Sequence, residues 1–450
     1  MSGGLEAADP LRVLGIDGST GRPLDPVPAV AARRRAARVL RRARPPRYGV
    51  ASGDLASAGW GIVFADSADP NLRRALEPLL DLRRRQAGDR YRELTWRPGE
   101  GAAVFRTRLR AGLGRVDPRQ VPWYLLLVGD PADLPYGFEL DLDLPHAVGR
   151  LAFDHVDDFA AYAQRVVAAE EEPAQAQHGG PRAAVFAPVH ADDPATAACT
   201  EHLGRPLAEL LDRRQVLAAA RIGAAATRAG LLELIAAAPD LLLVAGHAIV
   251  FPADHRWQRE RQGAIVCADW PGPVRWPRAI PPAQVVAATD LPRGALPGGV
   301  AVLLGCHTAG TPRRDPFDSD RPENARELTP RPFVAALAQR LLGREGGALA
   351  VLGHVGRAFE ASFVWRGVRQ TGALEDAIRA TLDGRRLGEA VDGFGQRFAD
   401  LAVTWARSRM DREAAEPDPL DLWIAFHDAR SWSLLGDPAV RLPATAGPES

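Results

Sequence analysis

The stretches that decide the fold are Leu241-Leu-Leu-Val-Ala-Gly-His247-Ala and Val300-Ala-Val-Leu-Leu-Gly-Cys306-His-Thr-Ala-Gly310-Thr-Pro. Each is a short apolar run that ends in a glycine and then a residue capable of chemistry. Such runs are typical of the central strands of a parallel sheet, and α/β folds place catalytic groups at the carboxyl ends of those strands. One strand therefore ends in a base and the other in a thiol, the minimum set for cysteine nucleophile catalysis.

The rest of the chain also alternates between apolar strands and amphipathic helices, which predicts an α/β fold. We expect two side-by-side three-layer α/β/α lobes with mainly parallel sheets. Residues 1–48, rich in proline and arginine, are expected to be an N-terminal extension, with a first lobe at 49–175 and a second at 181–445. We place the boundary within residues 172–182 and expect no sheet to continue across it.

The composition limits the classes of function. The 450 residues are 46% hydrophobic and 25% charged, values typical of a soluble globular protein with more than one core. Its 56 basic residues, all arginine, balance 56 acidic ones, so no charge excess indicates binding to nucleic acid. No apolar run reaches membrane-spanning length and the amino terminus does not resemble a secretory signal, so we expect a cytoplasmic protein without a membrane segment.

The sequence also gives no sign of a metal or cofactor. Its three cysteines are irregularly spaced and match neither a disulfide framework nor a zinc site. A nucleotide-dependent enzyme is disfavoured because there is no Gly-x-x-x-x-Gly-Lys loop. We therefore expect the chemistry to depend on side chains alone.

Six segments between Gly59 and Leu442 together carry a resemblance to a known family. They are residues 121–131, 147–154, 262–272, 305–312, 346–355 and 434–438. In this order they resemble the caspase-like cysteine peptidases of clan CD, and among those the bacterial CHAT and gingipain-like branch. The resemblance implies a non-catalytic, gingipain-like first lobe packed beside a caspase-like catalytic lobe.

The resemblance implies a role for each site residue. Cys306 would attack the scissile carbonyl, and His247 would protonate the departing amine and then activate water. The backbone N–H groups of Ala248 and Cys306 would bind the oxyanion. The family usually has glycine after the histidine; Ala248 keeps the N–H donor but has less backbone freedom.

The other histidines and cysteines are weaker candidates. His307 is expected to point away from the site, and His354 is interpreted as a packed, hydrogen-bonded histidine, although it could reach the site. If Cys306 is the nucleophile, its thiol should be accessible and partly ionised, whereas Cys199 and Cys267 should be buried and inert.

Specificity depends on which charged group lines the substrate pocket. An acid would favour arginine or lysine before the cut, whereas Arg313 or Arg314 would favour the opposite choice. We expect a basic residue. The candidates for substrate binding are Asp192, Asp193, Asp269, Trp270 and Asp315.

The predicted function is a cysteine endopeptidase that cuts a specific protein partner in bacterial signalling or antiviral defence. A pore-forming pro-protein encoded nearby is one candidate for that partner. The alternative is a catalytically silent caspase-like scaffold or interaction protein, for which the replacement of glycine by Ala248 is the argument.

Overall fold

The structure is a computed structural model, and most of the expected extension at 1–48 lies outside the residues that it describes. These are residues 13–24, 51–112, 116–171, 180–292, 294–318, 325–343, 346–410 and 419–442. The strands, numbered along the chain, are β1 (Gly15–Asp17), β2 (Trp60–Ala65), β3 (Tyr91–Trp96), β4 (Tyr124–Val128), β5 (Ala147–Leu151), β6 (Ala183–Ala187), β7 (Leu217–Ile222), β8 (Leu241–Ala245), β9 (Ala248–Val250), β10 (Ile265–Val266), β11 (Val285–Val286), β12 (Val300–Leu304), β13 (Gly310–Thr311), β14 (Phe333–Val334), β15 (Ala350–His354), β16 (Val364–Trp365), β17 (Val368–Arg369) and β18 (Trp432–Gly436).

Helices occupy most of the connections between these strands. The α-helices are Leu55–Ala58, Pro70–Ala75, Glu77–Ala87, Ala102–Arg108, Tyr136–Leu142, Val156–Glu171, Pro194–Cys199, Arg205–Arg213, Arg228–Ala236, Gln258–Arg261, Ala336–Leu342, Gly372–Leu382, Leu387–Ala390, Asp392–Met410 and Pro419–Arg430. None of the helices among the described residues combines the length and the apolar character needed to cross a membrane.

Ten of the strands form one large sheet, in the order β3-β2-β4-β5-β18-β15-β12-β8-β6-β7. Neighbouring strands are parallel except for β15 and β18, which are antiparallel. Side chains of β4 alternate between two apolar clusters: Leu126 and Val128 face one, and Leu125 and Leu127 face the other. Both faces of the sheet are therefore covered, which produces three layers.

The α/β class with mainly parallel strands is thus confirmed, but the expectation of a separate sheet in each lobe is not met. Strand β5 of the first half pairs with β18 of the second, through Leu435 and Arg150. The reason is that β18 closes the second half and leaves a free edge, whose backbone groups the edge of β5 can pair. The division of the chain into 49–175 and 181–445 stays a prediction.

A buried cluster of charges fixes this junction. Asp437, directly after β18, accepts hydrogen bonds from Arg83 Nε at 2.8 Å and from Trp60 Nε1 at 2.9 Å. Arg83 also pairs with Glu170 at 3.0 Å, and the side chains of Arg83 and Asp437 are fully buried. We call Trp60, Arg83, Glu170 and Asp437 the junction cluster. It connects the two halves because its members lie on both sides of the β5–β18 pair.

A second, smaller sheet lies beyond the carboxyl end of β8, in the order β1-β9-β10-β11. Strand β9 begins directly after His247, and β1 runs parallel to it with Gly15 opposite Ala248. The sheet has its own apolar cluster, which includes Ile16, Ile249 and Trp270. The small sheet therefore brings a segment from the start of the chain to the edge where the predicted catalytic residues lie.

Candidate active site

The site is built on the neighbouring strands β8 and β12. They pair in parallel, and their last pair joins Ala245 to Leu304. His247 and Cys306 each follow two residues later, and a further hydrogen bond from Gly246 N–H to Leu304 O, at 3.1 Å, continues the ladder between them. The base and the thiol therefore leave the same edge of the sheet side by side.

His247 is oriented by a carboxylate. Its Nε2 lies 2.7 Å from Asp193 Oδ2, and both side chains are buried. An ionised carboxylate can only accept, so this contact places the ring proton on Nε2. Nδ1 is buried and has no hydrogen-bond partner in the described part of the chain. The imidazole is therefore held with a free lone pair on Nδ1, the form that a general base requires.

Asp193 is predicted from the sequence as a pocket acid, and the structure places it on His247 instead. Its carboxylate also caps the helix Pro194–Cys199 and accepts a hydrogen bond from Thr196 Oγ1 at 2.6 Å. Burial alone would raise the pKa of Asp193, but His247 and the Thr196 hydroxyl together hold that pKa well below its usual range. The carboxylate is therefore ionised and able to stabilise an imidazolium. Aspartate followed by Pro194 is a helix-start signal, but it does not reveal the contact with His247.

A second histidine, which the sequence does not single out, supports the ring from behind. His190 stacks on His247 with ring centroids 6.0 Å apart and planes inclined by 10°. Its Nδ1 lies 3.1 Å from the carbonyl oxygen of Trp270, and burial lowers the pKa of His190 to about 4. Trp270 is fully buried against His190, and the part in substrate binding predicted for it stays a prediction. Both side chains position His247.

The Cys306 thiol is buried, which differs from the accessible thiol that is expected of a nucleophile. The backbone N–H of Ala358 points at Sγ from 3.3 Å, and burial raises the pKa of Cys306 to about 12. The physical reason is that strand β1 covers the sulfur. Cys199 and Cys267 are also buried, and burial raises the pKa of each thiol further.

Two backbone N–H groups converge beside the thiol. Ala248 N–H and Cys306 N–H both donate to the carbonyl oxygen of Leu14, at 3.3 and 3.0 Å. Two donors aimed at one oxygen next to a nucleophile have the geometry of an oxyanion hole. Ala248 lies in the extended strand β9 and not in the left-handed region, so alanine causes no backbone strain here.

Three of the predicted pocket acids have partners of their own. Asp269 accepts from the N–H of Arg228 at 2.5 Å, at the start of the helix Arg228–Ala236. Asp315 is fully buried and pairs with Arg357 at 2.7 Å. With Asp193 on His247, three of the four candidate acids thus have partners within the chain, and a part for them in substrate binding stays a prediction.

The remaining charged candidates lie at or near the surface. Asp192 is exposed and lies 3.8 Å from Arg275, so its place in a pocket stays a prediction. Arg313 lies 3.8 Å from Glu327, and Arg314 donates to the carbonyl oxygen of Ala325. The expected preference for a basic residue therefore loses three of the four acids that supported it.

The rival histidines have structural contacts. His307 has a φ of 60°, its Nδ1 lies 3.1 Å from Thr311 Oγ1, and burial lowers the pKa of its ring to about 3. His354 Nε2 lies 3.4 Å from both Asp428 and Ser362. His247 is the base that the geometry favours, because it leaves the strand next to that of Cys306 and its Nδ1 has no hydrogen-bond partner among the described residues.

No protein-family model and no curated protein matches this sequence. Among solved structures, the complex of the pro- and mature domains of Porphyromonas gingivalis RgpB is similar with a TM-score of 0.50 and 12% identity, over 85% of this chain and 80% of that one. The fold is caspase-like. The Arg-specific cysteine proteinase gingipain R (RgpB) matches with a TM-score of 0.47 and 12% identity, over 86% and 78% of the two chains. The Saccharomyces cerevisiae separase–securin complex matches with a TM-score of 0.31 and 10% identity, over 70% and 15%.

Proposed function

We propose that this protein is a cysteine endopeptidase in which Cys306 is the nucleophile and His247 the general base and acid. The observation that carries the proposal is the convergence of the Ala248 and Cys306 N–H groups on one carbonyl oxygen. That arrangement lies at the edge where a carboxylate-oriented histidine and a cysteine leave neighbouring strands. A carbonyl held there is polarised and exposed to attack.

In the proposed mechanism each group has one step. His247 Nδ1 takes the thiol proton as Cys306 Sγ attacks the carbonyl carbon, and the two N–H groups stabilise the negative oxygen. His247 gives the proton to the leaving amine, and then takes one from the water that hydrolyses the thioester. Asp193 keeps the ring in its tautomer and stabilises the imidazolium. Proton transfer of this kind contributes roughly 10²–10⁴ in rate, and each oxyanion donor roughly 10²–10³.

The substrate class and the biological setting are proposed from the sequence resemblance. The substrate is a polypeptide partner that is cut at few positions, with a pore-forming pro-protein encoded nearby as a candidate, in bacterial signalling or antiviral defence. A cytoplasmic location and membership of the CHAT branch are part of the same proposal.

A silent scaffold is the second candidate, and one observation favours it: the Cys306 thiol is buried under β1. The other argument for a scaffold weakens, because Ala248 occupies an ordinary extended conformation. The two candidates differ in whether any bond is cut by Cys306.

A library of fluorogenic peptides that varies the residue before the cut tests the proposal on the full chain. We expect hydrolysis by the unmodified chain and by Cys199→Ala, a matched control because that thiol is also buried. Cys306→Ala should reduce hydrolysis to background. Hydrolysis that survives Cys306→Ala would overturn the assignment. Absence of hydrolysis for every peptide, in a chain whose Cys306 thiol is accessible, would favour the scaffold.

A further inference from the structure

Residues 13–17 run through the candidate site, with a β-bridge at Val13 and strand β1 at Gly15–Asp17. The Leu14 carbonyl oxygen accepts both N–H donors of the proposed oxyanion hole, Ala248 at 3.3 Å and Cys306 at 3.0 Å. In the proposed mechanism this is the place of the carbonyl that is attacked. Leu14 therefore occupies the position of the residue before the cut.

The nucleophile lies against the next residue. A Cβ added to Gly15 would lie 2.6 Å from Cys306 Sγ, a distance at which real Cβ atoms are not found. The sulfur is thus next to the Leu14–Gly15 peptide, and glycine is the residue that leaves room for it. The positions of the Leu14 carbonyl oxygen and of Cys306 Sγ therefore both identify the Leu14–Gly15 bond as the one at the site.

The chain is held on both sides of that bond. On the amino side, Leu14 N–H donates to the carbonyl oxygen of Ala358 at 3.0 Å, and Val13 bridges Phe359 in antiparallel fashion. Phe359 N–H is fixed in turn by Asp428 at 2.9 Å. A peptide that adds a strand to an existing edge in this way is a common mode of peptide recognition.

On the carboxyl side, β1 pairs with β9. The carbonyl oxygen of Gly15 also accepts from Leu24 N–H at 3.0 Å, which closes a short hairpin. Residues 15–24 therefore have contacts of their own and can stay in place when the bond before them is broken. Residues 13 and 14 depend on the site itself.

The side chain before the bond is apolar and enclosed. Leu14 is fully buried and belongs to the large apolar cluster of the sheet. Asp315, an acid that the sequence analysis named for binding a basic side chain, pairs with Arg357 at 2.7 Å and lies 3.4 Å from Arg326. Burial of an arginine without a free carboxylate is costly, so this position favours leucine.

We propose that the site's own Leu14–Gly15 bond is its first substrate, cut within the same molecule, and that the position before the cut takes leucine rather than a basic side chain. The inference rests on the proposed peptidase function. Cys306 Sγ bonds to the Leu14 carbonyl carbon, the bond to the Gly15 nitrogen breaks, and that nitrogen receives the thiol proton through His247. Water then hydrolyses the thioester, giving a Leu14 carboxylate, a new amino terminus at Gly15 and a free thiol.

Until that cut, the segment keeps the site closed. Both oxyanion donors are occupied by Leu14 and the sulfur is covered, so the carbonyl of another molecule has no place to bind. The reaction is therefore intramolecular and first order. Release of residues 1–14 frees both oxyanion donors, and Cys306 becomes accessible to a substrate in trans once the new amino-terminal end at Gly15 turns away from the sulfur.

Intact mass measurement of the full chain, made by cell-free translation and followed over time, tests the cut. We expect loss of residues 1–14, a new amino terminus at Gly15, and equal fractions cut at two protein concentrations that differ about a hundredfold, as a unimolecular step requires. Cys306→Ala should stay uncut. An intact amino terminus in the unmodified chain, cleavage at another bond, or cleavage in Cys306→Ala would overturn the inference.

Variants of the segment test the specificity. Leu14→Met conserves volume and should be cut within about threefold of the normal rate, whereas Leu14→Arg should be cut roughly 100-fold more slowly. Gly15→Ala should not be cut because its Cβ collides with the sulfur.

In case a variant misfolds, a second measurement uses the cut chain and two fluorogenic peptides. The peptide with Val-Leu before the cut should be hydrolysed at least about tenfold faster than the peptide with Val-Arg there. The reverse order would overturn the proposed preference for leucine.

Failure of the inference is distinguishable from failure of the proposed function. In Gly15→Ala the added Cβ prevents residues 13–15 from binding in the site, so the site is open without a cut. If this variant hydrolyses peptides in a Cys306-dependent manner while the unmodified chain keeps its Leu14–Gly15 bond, the peptidase stands and the self-cleavage inference fails. If neither protein hydrolyses any peptide, the peptidase itself is overturned.

Discussion

The two halves of the large sheet are built alike and run in opposite directions. Strand β18 is antiparallel to β15 and parallel to β5, so β2 to β5 point the opposite way from β6, β8, β12 and β15. The carboxyl ends of the first half, such as Val128 before Gly129 and Asp130, therefore lie at the other edge of the sheet from His247 and Cys306. The opposite strand direction alone places the carboxyl ends of the first half away from the candidate site.

The junction cluster and the candidate site also use buried carboxylates differently. In the junction cluster, Asp437 accepts from both Arg83 and Trp60, and Arg83 also binds Glu170. At the site, Asp193 binds one nitrogen of His247, while Nδ1 has no hydrogen-bond partner among the described residues. A carboxylate surrounded by donors stabilises the fold. The Asp193 carboxylate binds only one ring nitrogen of His247, which leaves the other nitrogen able to accept and donate a proton.

The largest expected effect is that of Asp193→Asn. The amide cannot stabilise an imidazolium and can reverse the ring tautomer, so kcat should fall roughly 10²–10⁴-fold. Stability should change little, because asparagine caps a helix about as well as aspartate. Peptide hydrolysis against pH, with thermal unfolding as the control, checks this. Unchanged kcat would mean that Asp193 serves only as a helix cap.

The matched change in the other region is Asp437→Asn. Loss of this charge leaves the buried Arg83 poorly compensated, which should lower the free energy of unfolding by about 3–5 kcal/mol. Activity per folded molecule should stay the same, because the junction cluster has no part in the proposed reaction. Urea unfolding and kcat corrected for the folded fraction measure the two effects. A loss of kcat equal to that of Asp193→Asn would remove the contrast between the regions.

Acid should destabilise both halves of the molecule because each contains a buried, neutral histidine. Burial lowers the pKa of His146, in the first half, to about 3 and that of His190, behind His247, to about 4. Between those values and about 6.5, the unfolded chain binds more protons than the folded one, so stability falls as pH falls. His190→Asn should flatten the slope of unfolding free energy against pH above about pH 4, and His146→Asn should flatten it down to about pH 3. Unaltered slopes in both variants would show that other groups control the acid response.

The smallest expected effect is that of Ala248→Gly, which restores the residue usual in the resembling family. Ala248 donates its N–H from an extended strand, so glycine should change kcat by no more than about threefold. A large gain in hydrolysis would instead show that alanine holds the oxyanion donor in a poor orientation.

Local pattern predicted the strands and the tips that carry His247 and Cys306, because buried five-residue strands have a clear apolar signature. The contacts that complete the site could not be predicted, because they join distant parts of the chain. From the sequence, Asp193 is a candidate pocket acid, and its contact with His247 becomes visible only in the folded chain. Leu14 lies in a segment interpreted as an extension, and its place in the site depends on the pairing of β1 with β9.

The position of β18 has a consequence for the order of folding. This strand is the last of the ten to be translated, yet it lies in the middle of the sheet, between β5 and β15. On the ribosome, the edges of both neighbours must therefore remain without their partner until residues 432–436 emerge. Exposed strand edges favour misassembly during that interval. A nascent chain that stops short of β18 should therefore depend on chaperones, and the proposed activity should arise only when the central strand has been inserted.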